Sequence, residues 1–200
     1  MRNCRVLRNC LIAGSKTWGT ASSGGFLLTD GQDVTVENCT ITTNLFSNGI
    51  YANASTGKLT FKNCLFYNNN VSGKGWGSQD WGEPDAGVYM DHCFFKAPGD
   101  WSPNGVTETD ATKWTGDGSL NFYRDWTTKP GFCKDARGGE SAEHPYALVR
   151  RGLCTKKGLV EDWMRTAVDL AGNRRLFENH VDLGCYQNCE FPPGLCISFK

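Results

Sequence analysis

No stretch of this sequence approaches the ~20 consecutive apolar residues a helix needs to cross a bilayer. The opening Met1-Arg2-Asn3-Cys4-Arg5 also lacks the apolar region of a secretory signal. Neither a membrane span nor a signal peptide is expected within the residues given. An excess of one charge is missing too: 21 basic residues balance 21 acidic ones without a basic run, so a nucleic-acid backbone would find no electrostatic footprint. Histidine is scarce, at 3 residues, and no Cys-x-x-Cys or Cys-x-x-His spacing occurs, which removes the familiar zinc arrangements. No nucleophile elbow or phosphate loop occurs either. Only 21% of residues are charged, whereas Gly numbers 24 and Thr and Asn are frequent, which favours strands and turns over amphipathic helices. Two hundred residues suit one architectural unit with a substantial core.

What the chain does have is a repeat. Aligned on Cys10, Cys39, Cys64 and Cys93, the flanking segments read RVLRNCLI, VTVENCTI, LTFKNCLF and VYMDHCFF, with anchors 29, 25 and 29 residues apart. An apolar residue stands three places before each Cys (Leu7, Val36, Phe61, Met90) and another two places after it (Ile12, Ile41, Phe66, Phe95). The position two before is always charged (Arg8, Glu37, Lys62, Asp91), which predicts an alternating strand with one wet face. The next residue is Asn9, Asn38, Asn63 or His92, and it breaks the alternation because the Cys must also point inward. Asn, and less often His, tolerates the left-handed backbone of such a bend, and a stack of amides can bond from layer to layer. Two short strands therefore meet at a corner. A third is expected upstream, at Gly25 to Leu28 and Gly49 to Ala52, with turns at Asp30 to Asp33 and Asn53 to Gly57.

Such a coil of about 25 residues closes a triangular circuit, and the next stacks ~4.8 Å above it by parallel pairing. The expected fold is all-β, a parallel β-helix of three-strand coils. A leucine-rich repeat would need a helical or extended return and a Leu triplet, and a left-handed hexapeptide helix a six-residue beat; neither is visible.

The coils resemble the right-handed parallel β-helix (pectate-lyase-like) superfamily of bacterial surface and secreted proteins. Residues 130–136 (PGFCKDA), 144–148 (HPYAL), 169–175 (DLAGNRR) and 181–186 (VDLGCY) are similar to the closing segment of these proteins, often described as a choice-of-anchor region. Arg174 stands where that family usually has Pro, and Cys185 where it often has Ala. The resemblance implies a right-handed coil, a secreted or cell-surface location, and a closing segment that caps the solenoid, whose open end would otherwise expose unpaired edges. Expected organisation is therefore coils over 1–98 with an insertion at 71–87, a loop-rich excursion over 99–129, final coils and a C-terminal cap over 130–186 with a short helix within Gly158 to Met164, and a tail over 187–200. Because the first residues fall inside a coil, further coils are expected upstream.

The four anchor cysteines fall on one interior ladder and are expected as free buried thiols, since in-register stacking fits a disulfide dihedral poorly. In the later group (Cys133, Cys154, Cys185, Cys189, Cys196) a disulfide is plausible for a secreted protein, Cys189 with Cys196 first.

Chemistry concentrates in residues 71–87, VSGKGWGSQDWGEPDAG. Trp76 and Trp81 offer flat faces for a sugar ring, and Asp80, Glu83 and Asp85 could bind hydroxyls or serve as acid and base. A plain Gly-rich excursion with Trp covering the wall is the competing reading. The second excursion, with Trp101, Trp114 and Trp126, reads as a satellite cluster. Asp30 and Asp33 carry the oxygen ligands calcium prefers, although turn chemistry alone accounts for them. No other metal or cofactor is implied. Arg175 is expected to pair with Asp182, and His92, His144 and His180 to be structural. The expected function is polysaccharide binding or scaffolding. The resemblance admits two alternatives: a pectate-lyase-like lyase or glycoside hydrolase using Asp80, Glu83 and Asp85, or an adhesin.

Overall fold

The parallel pairing follows the cysteine alignment residue for residue. In a computed structural model, which describes residues 4–15, 24–28, 32–44, 50–53, 57–69, 88–95, 129–135 and 143–188, nine strands form three parallel sheets. One sheet has the order β1(Val6–Arg8), β4(Val34–Glu37), β7(Leu59–Lys62), β9(Val88–Asp91). The second runs β2(Leu11–Ala13), β5(Thr40–Thr42), β8(Leu65–Tyr67), and the third pairs β3(Gly24–Leu28) with β6(Ile50–Asn53) across a register shift between Gly25 and Leu27. Leu7 lies beside Val36, Val36 beside Phe61 and Phe61 beside Met90, so the 29- and 25-residue periods translate directly into rungs.

Residues three before and two after each cysteine meet inside, as the apolar columns require. Val36, Cys39, Ile41, Leu59, Phe61, Cys64, Phe66, Cys93 and Phe95 are fully buried in one cluster with Met90. Phe61 and Phe66 meet edge to face at 5.2 Å and 80°. Each large side chain buried here stabilises the fold by about 1.5–3 kcal/mol.

The corners adopt the left-handed backbone anticipated from their Asn residues: φ is 52° at Asn9, 51° at Asn38, 53° at Asn63 and 50° at His92. A second left-handed corner, not anticipated, follows the β2-β5-β8 sheet at Gly14, Thr43 and Asn68. One residue further on, Asn44 and Asn69 turn inward as a buried amide stack. Asn44 Nδ2 donates to Ile12 O at 3.0 Å and to Asn69 Oδ1 at 2.9 Å, and Asn69 Nδ2 donates to Ile41 O at 2.9 Å. The tighter interlayer amide stack therefore sits five residues after the cysteine, while at the corner Asn63 Nδ2 lies 3.4 Å from the Asn38 amide.

The described residues of the closing segment make contacts unlike those of the coils. Among the described residues from 129 onward there is no strand of the three sheets, only antiparallel bridges such as Phe132 with Leu148 and Gly158 with Val181. Residues 143–188 lie along the flank of the solenoid as a strap, rather than across an end as expected. Leu65 and Phe94, one place after their cysteines, point outward and are covered by Phe132, Leu148, Cys154 and Leu183. The short helix materialises as a 3₁₀ turn, Asp162–Arg165, and it too lies against the flank.

Candidate functional site

Trp76, Asp80, Trp81, Glu83 and Asp85 lie outside the described residues, as do Asp30, Cys189, Cys196 and the tryptophans of the second excursion. What is described is the frame that holds residues 71–87. The chain leaves β8 after Tyr67 and rejoins the wall at β9, where Val88 pairs with Leu59 and Asp91 with Lys62 in unbroken register. Asp33 Oδ1 accepts the Lys58 N–H of the next coil at 2.9 Å. Among the described residues, no three His, Cys, Asp or Glu side chains are grouped so as to hold a metal ion.

The polar chemistry that is described fastens the strap to the corner ladder. Asn9 Nδ2 donates to Val168 O at 2.9 Å. Asn63 grips one backbone unit at both ends, its Nδ2 donating to Leu159 O at 2.8 Å while its Oδ1 accepts from Leu159 N at 2.6 Å. Between them, the Asn38 amide oxygen accepts from the Arg175 guanidinium, from Nη2 and from Nε at 3.2 Å. The left-handed backbone explains this arrangement, because it turns each amide out of the coil toward the strap. Thr40 Oγ1 accepts the Cys185 N–H at 3.0 Å, and Asn63 O accepts the Gly184 N–H at 2.8 Å. Gly184 has φ of 84° and lies so close to Thr40 that a Cβ would collide with its hydroxyl, which accounts for the glycine in the VDLGCY motif.

Arg175 is fully buried, and its partner differs from the expected one. Nη2 donates to the backbone carbonyls of Asp182 at 2.7 Å and Gly184 at 2.6 Å, not to the Asp182 carboxylate. That carboxylate instead accepts Lys156 N at 2.7 Å and Asn188 N at 2.8 Å. Burial lowers the Arg175 pKa to about 10, which still leaves it charged at neutral pH, and burial raises that of Asp182. Asp169 accepts the backbone N–H groups of Ala171 at 2.9 Å and Asn173 at 2.8 Å, the turn role read from the sequence, and also that of Gln187 at 2.8 Å.

The charged column is less wet than its alternation implies. Its signs alternate along the stack as Arg8, Glu37, Lys62, Asp91, and Arg8 pairs with Glu37, which is only 5% exposed. Lys62 Nζ reaches Glu161 Oε1 on the strap at 2.7 Å, Trp163 Nε1 donates to Glu161 Oε2 at 2.8 Å, and the Arg8 guanidinium lies 4.6 Å from the Trp163 ring centre. Burial alone would raise the Glu161 carboxyl, but Lys62 and Trp163 outweigh it and hold it below the usual range, while Glu161 raises Lys62. His92 Nδ1 lies 2.7 Å from Asp91 Oδ1 at its corner, and the His144 ring sits 5.3 Å from Tyr186.

The ladder cysteines are free thiols, as are Cys154 and Cys185. Cys64 donates to Val36 O and Lys62 O, both at 3.3 Å, and Cys93 to Phe61 O at 3.4 Å and Asp91 O at 3.3 Å. Burial pushes the Cys64 and Cys154 thiols well up and brings Cys185 to about 11. Among the described cysteines, an alkylating reagent at pH 8 is expected to modify exposed Cys4 first, with the buried Cys64, Cys93 and Cys154 reacting more than about 100-fold more slowly until denaturant is added. Peptide mapping of the labelled thiols checks this.

Comparison with known proteins agrees with this geometry. A family model described as "Right handed beta helix region" matches residues 1–109. No curated protein and no solved structure matches the chain.

Proposed function

The chain belongs to the right-handed β-helix family, and from that premise we propose that it is a secreted or cell-surface module that binds polysaccharide without cleaving it. Residues 71–87 form the binding segment in this reading, with Trp76 and Trp81 stacking on sugar rings and Asp80, Glu83 and Asp85 accepting from hydroxyls. One observation supports it most. The interval from Cys64 to Cys93 is 29 residues, as is that from Cys10 to Cys39, against 25 from Cys39 to Cys64, and β9 rejoins β7 in register. The extra residues are accommodated without disturbing the stack, as suits a surface segment on a rigid support. The buried carboxylates described, by contrast, are engaged in the fold: Asp169 and Asp182 hold backbone N–H groups, and Glu37 holds Arg8.

Affinity electrophoresis on a panel of neutral and acidic polysaccharides tests the reading. Retention by at least one polysaccharide is expected, weakened about tenfold or more in Trp76→Ala and Trp81→Ala, with no release of reducing or unsaturated ends. Turnover that disappears in Asp80→Ala or Glu83→Ala would replace the binding reading with the lyase or hydrolase one. Self-aggregation without glycan retention would favour the adhesin.

A further inference from the structure

Cys39, Cys64 and Cys93 stand one above the next in the core, and all three are fully buried. Each thiol addresses the same pair of carbonyls. One lies two residues before it (Glu37, Lys62 and Asp91, each at 3.3 Å) and the other on the neighbouring rung (Leu7 at 3.7 Å, Val36 at 3.3 Å and Phe61 at 3.4 Å). A recurring pair of acceptors fixes one side-chain orientation, so the sulfurs repeat with the rungs, ~4.8 Å apart. A thiolate bond to a closed-shell metal ion is about 2.3 Å, and two in line span about 4.6 Å. The column therefore spaces its sulfurs as a linear sulfur–metal–sulfur unit requires.

Higher coordination is not offered, since among the described residues no three His, Cys, Asp or Glu side chains converge. Structural zinc and iron–sulfur clusters take four ligands, and hard cations take oxygens, so the ion that fits is a soft one content with two sulfurs. Charge points the same way. Arg175, the one fully buried cation among the described residues, lies within electrostatic reach of Cys39. Its guanidinium is bonded to carbonyl and amide oxygens, and Nη1 has no acceptor. An anion formed at Cys39 meets a countercharge already in place.

We propose that Cys39 and Cys64 form a two-coordinate site for a soft monovalent cation, copper(I) or silver(I), inside the coil. Binding breaks both S–H bonds, forms two metal–sulfur bonds and releases two protons to solvent, and no electron moves. One positive ion and two thiolates leave a single negative charge, which Arg175 balances. Burial holds the Cys64 thiol protonated on its own, so its thiolate exists only beneath the cation. Entry needs local opening of the coil, which makes loading slow.

Anaerobic competition against a chromophoric copper(I) chelator, with X-ray absorption on the chain loaded with one equivalent, tests the site. Two sulfur neighbours at about 2.3 Å are expected around the copper. The double variant Cys39→Ser and Cys64→Ser leaves no two column thiols on adjacent rungs and should bind at least about 100-fold more weakly, whereas Cys4→Ser should leave the affinity unchanged. An equal affinity in the double variant, or three sulfur neighbours around the copper, would overturn the proposal. Because buried serines can themselves unfold the coil, the unaltered chain supplies a second reading. One equivalent of silver(I) should raise its thermal midpoint by about 5 °C or more, since only stacked rungs hold the two sulfurs one ion apart. A midpoint that stays or falls would equally overturn it.

Discussion

Arg175→Ala is expected to lower the unfolding free energy by about 3–5 kcal/mol, the largest effect of any single polar substitution in the described residues. The guanidinium is fully buried and serves three acceptors at once: the carbonyls of Asp182 and Gly184 and the amide oxygen of Asn38. Truncation leaves all three without their donor in a site closed to water, and each buried unsatisfied acceptor costs about 1–3 kcal/mol. It also opens a cavity at the junction of strap and corner. Arg175→Lys keeps the charge but has one nitrogen where Nη2 and Nε together serve the two carbonyls and the Asn38 oxygen, so it should recover only part of the loss. Urea unfolding followed by Trp fluorescence measures both. A loss under about 1 kcal/mol for Arg175→Ala would mean that the strap is held by its apolar contacts alone.

The second large effect is expected at Asn63, where conformation and bonding can be separated. Asn63→Ala should cost about 3 kcal/mol, combining the left-handed backbone at φ 53°, worth about 1–2 kcal/mol for a residue with a Cβ, with the two bonds to Leu159. Asn63→Gly restores the backbone freedom but not the bonds, and should therefore be about 1 kcal/mol less damaging than Asn63→Ala. Equal losses in the two variants would show that the corner geometry contributes nothing and that the amide alone matters. The pair of unfolding curves reads this directly.

The repeating wall was legible because its signal lies in columns. Two apolar columns, the cysteine column, one charged column and a corner column of three Asn and one His, each sampled four times, leave one register, and Leu7, Val36, Phe61 and Met90 occupy it. The inner stack of Asn44 and Asn69 was harder to see, because its column has only two Asn and Ser15 at the first rung. Its cue is the shared offset of five residues from Cys39 and Cys64. The course of the closing segment was not legible, because its partners are single contacts made across more than 90 residues, such as Asn63 with Leu159. The corner amides could be assigned a backbone conformation from sequence, but not the direction in which they bond. Pairing Arg175 with Asp182 by charge named the right two residues and the wrong atoms, since the carboxylate is taken by Lys156 and Asn188. Alternating signs in the charged column were visible, but its covering by Trp163 and Glu161 was not. The chemistry assigned to residues 71–87 lies outside the described residues and rests on composition and on the frame that β8 and β9 provide.

The strap also bears on the order in which the chain can mature. A solenoid alone consists of nearest-neighbour contacts that can assemble rung by rung, but Asn9 awaits Val168, 159 positions later, and Asn38 awaits Arg175. At a synthesis rate of about 5–20 residues per second, the early coils leave the ribosome roughly ten seconds or more before their fastener exists. During that interval Leu65 and Phe94 lack the cover they have in the finished molecule. The nascent wall therefore presents a greasy stripe to the surrounding medium, where holdase chaperones would be expected to engage it until translation nears its end.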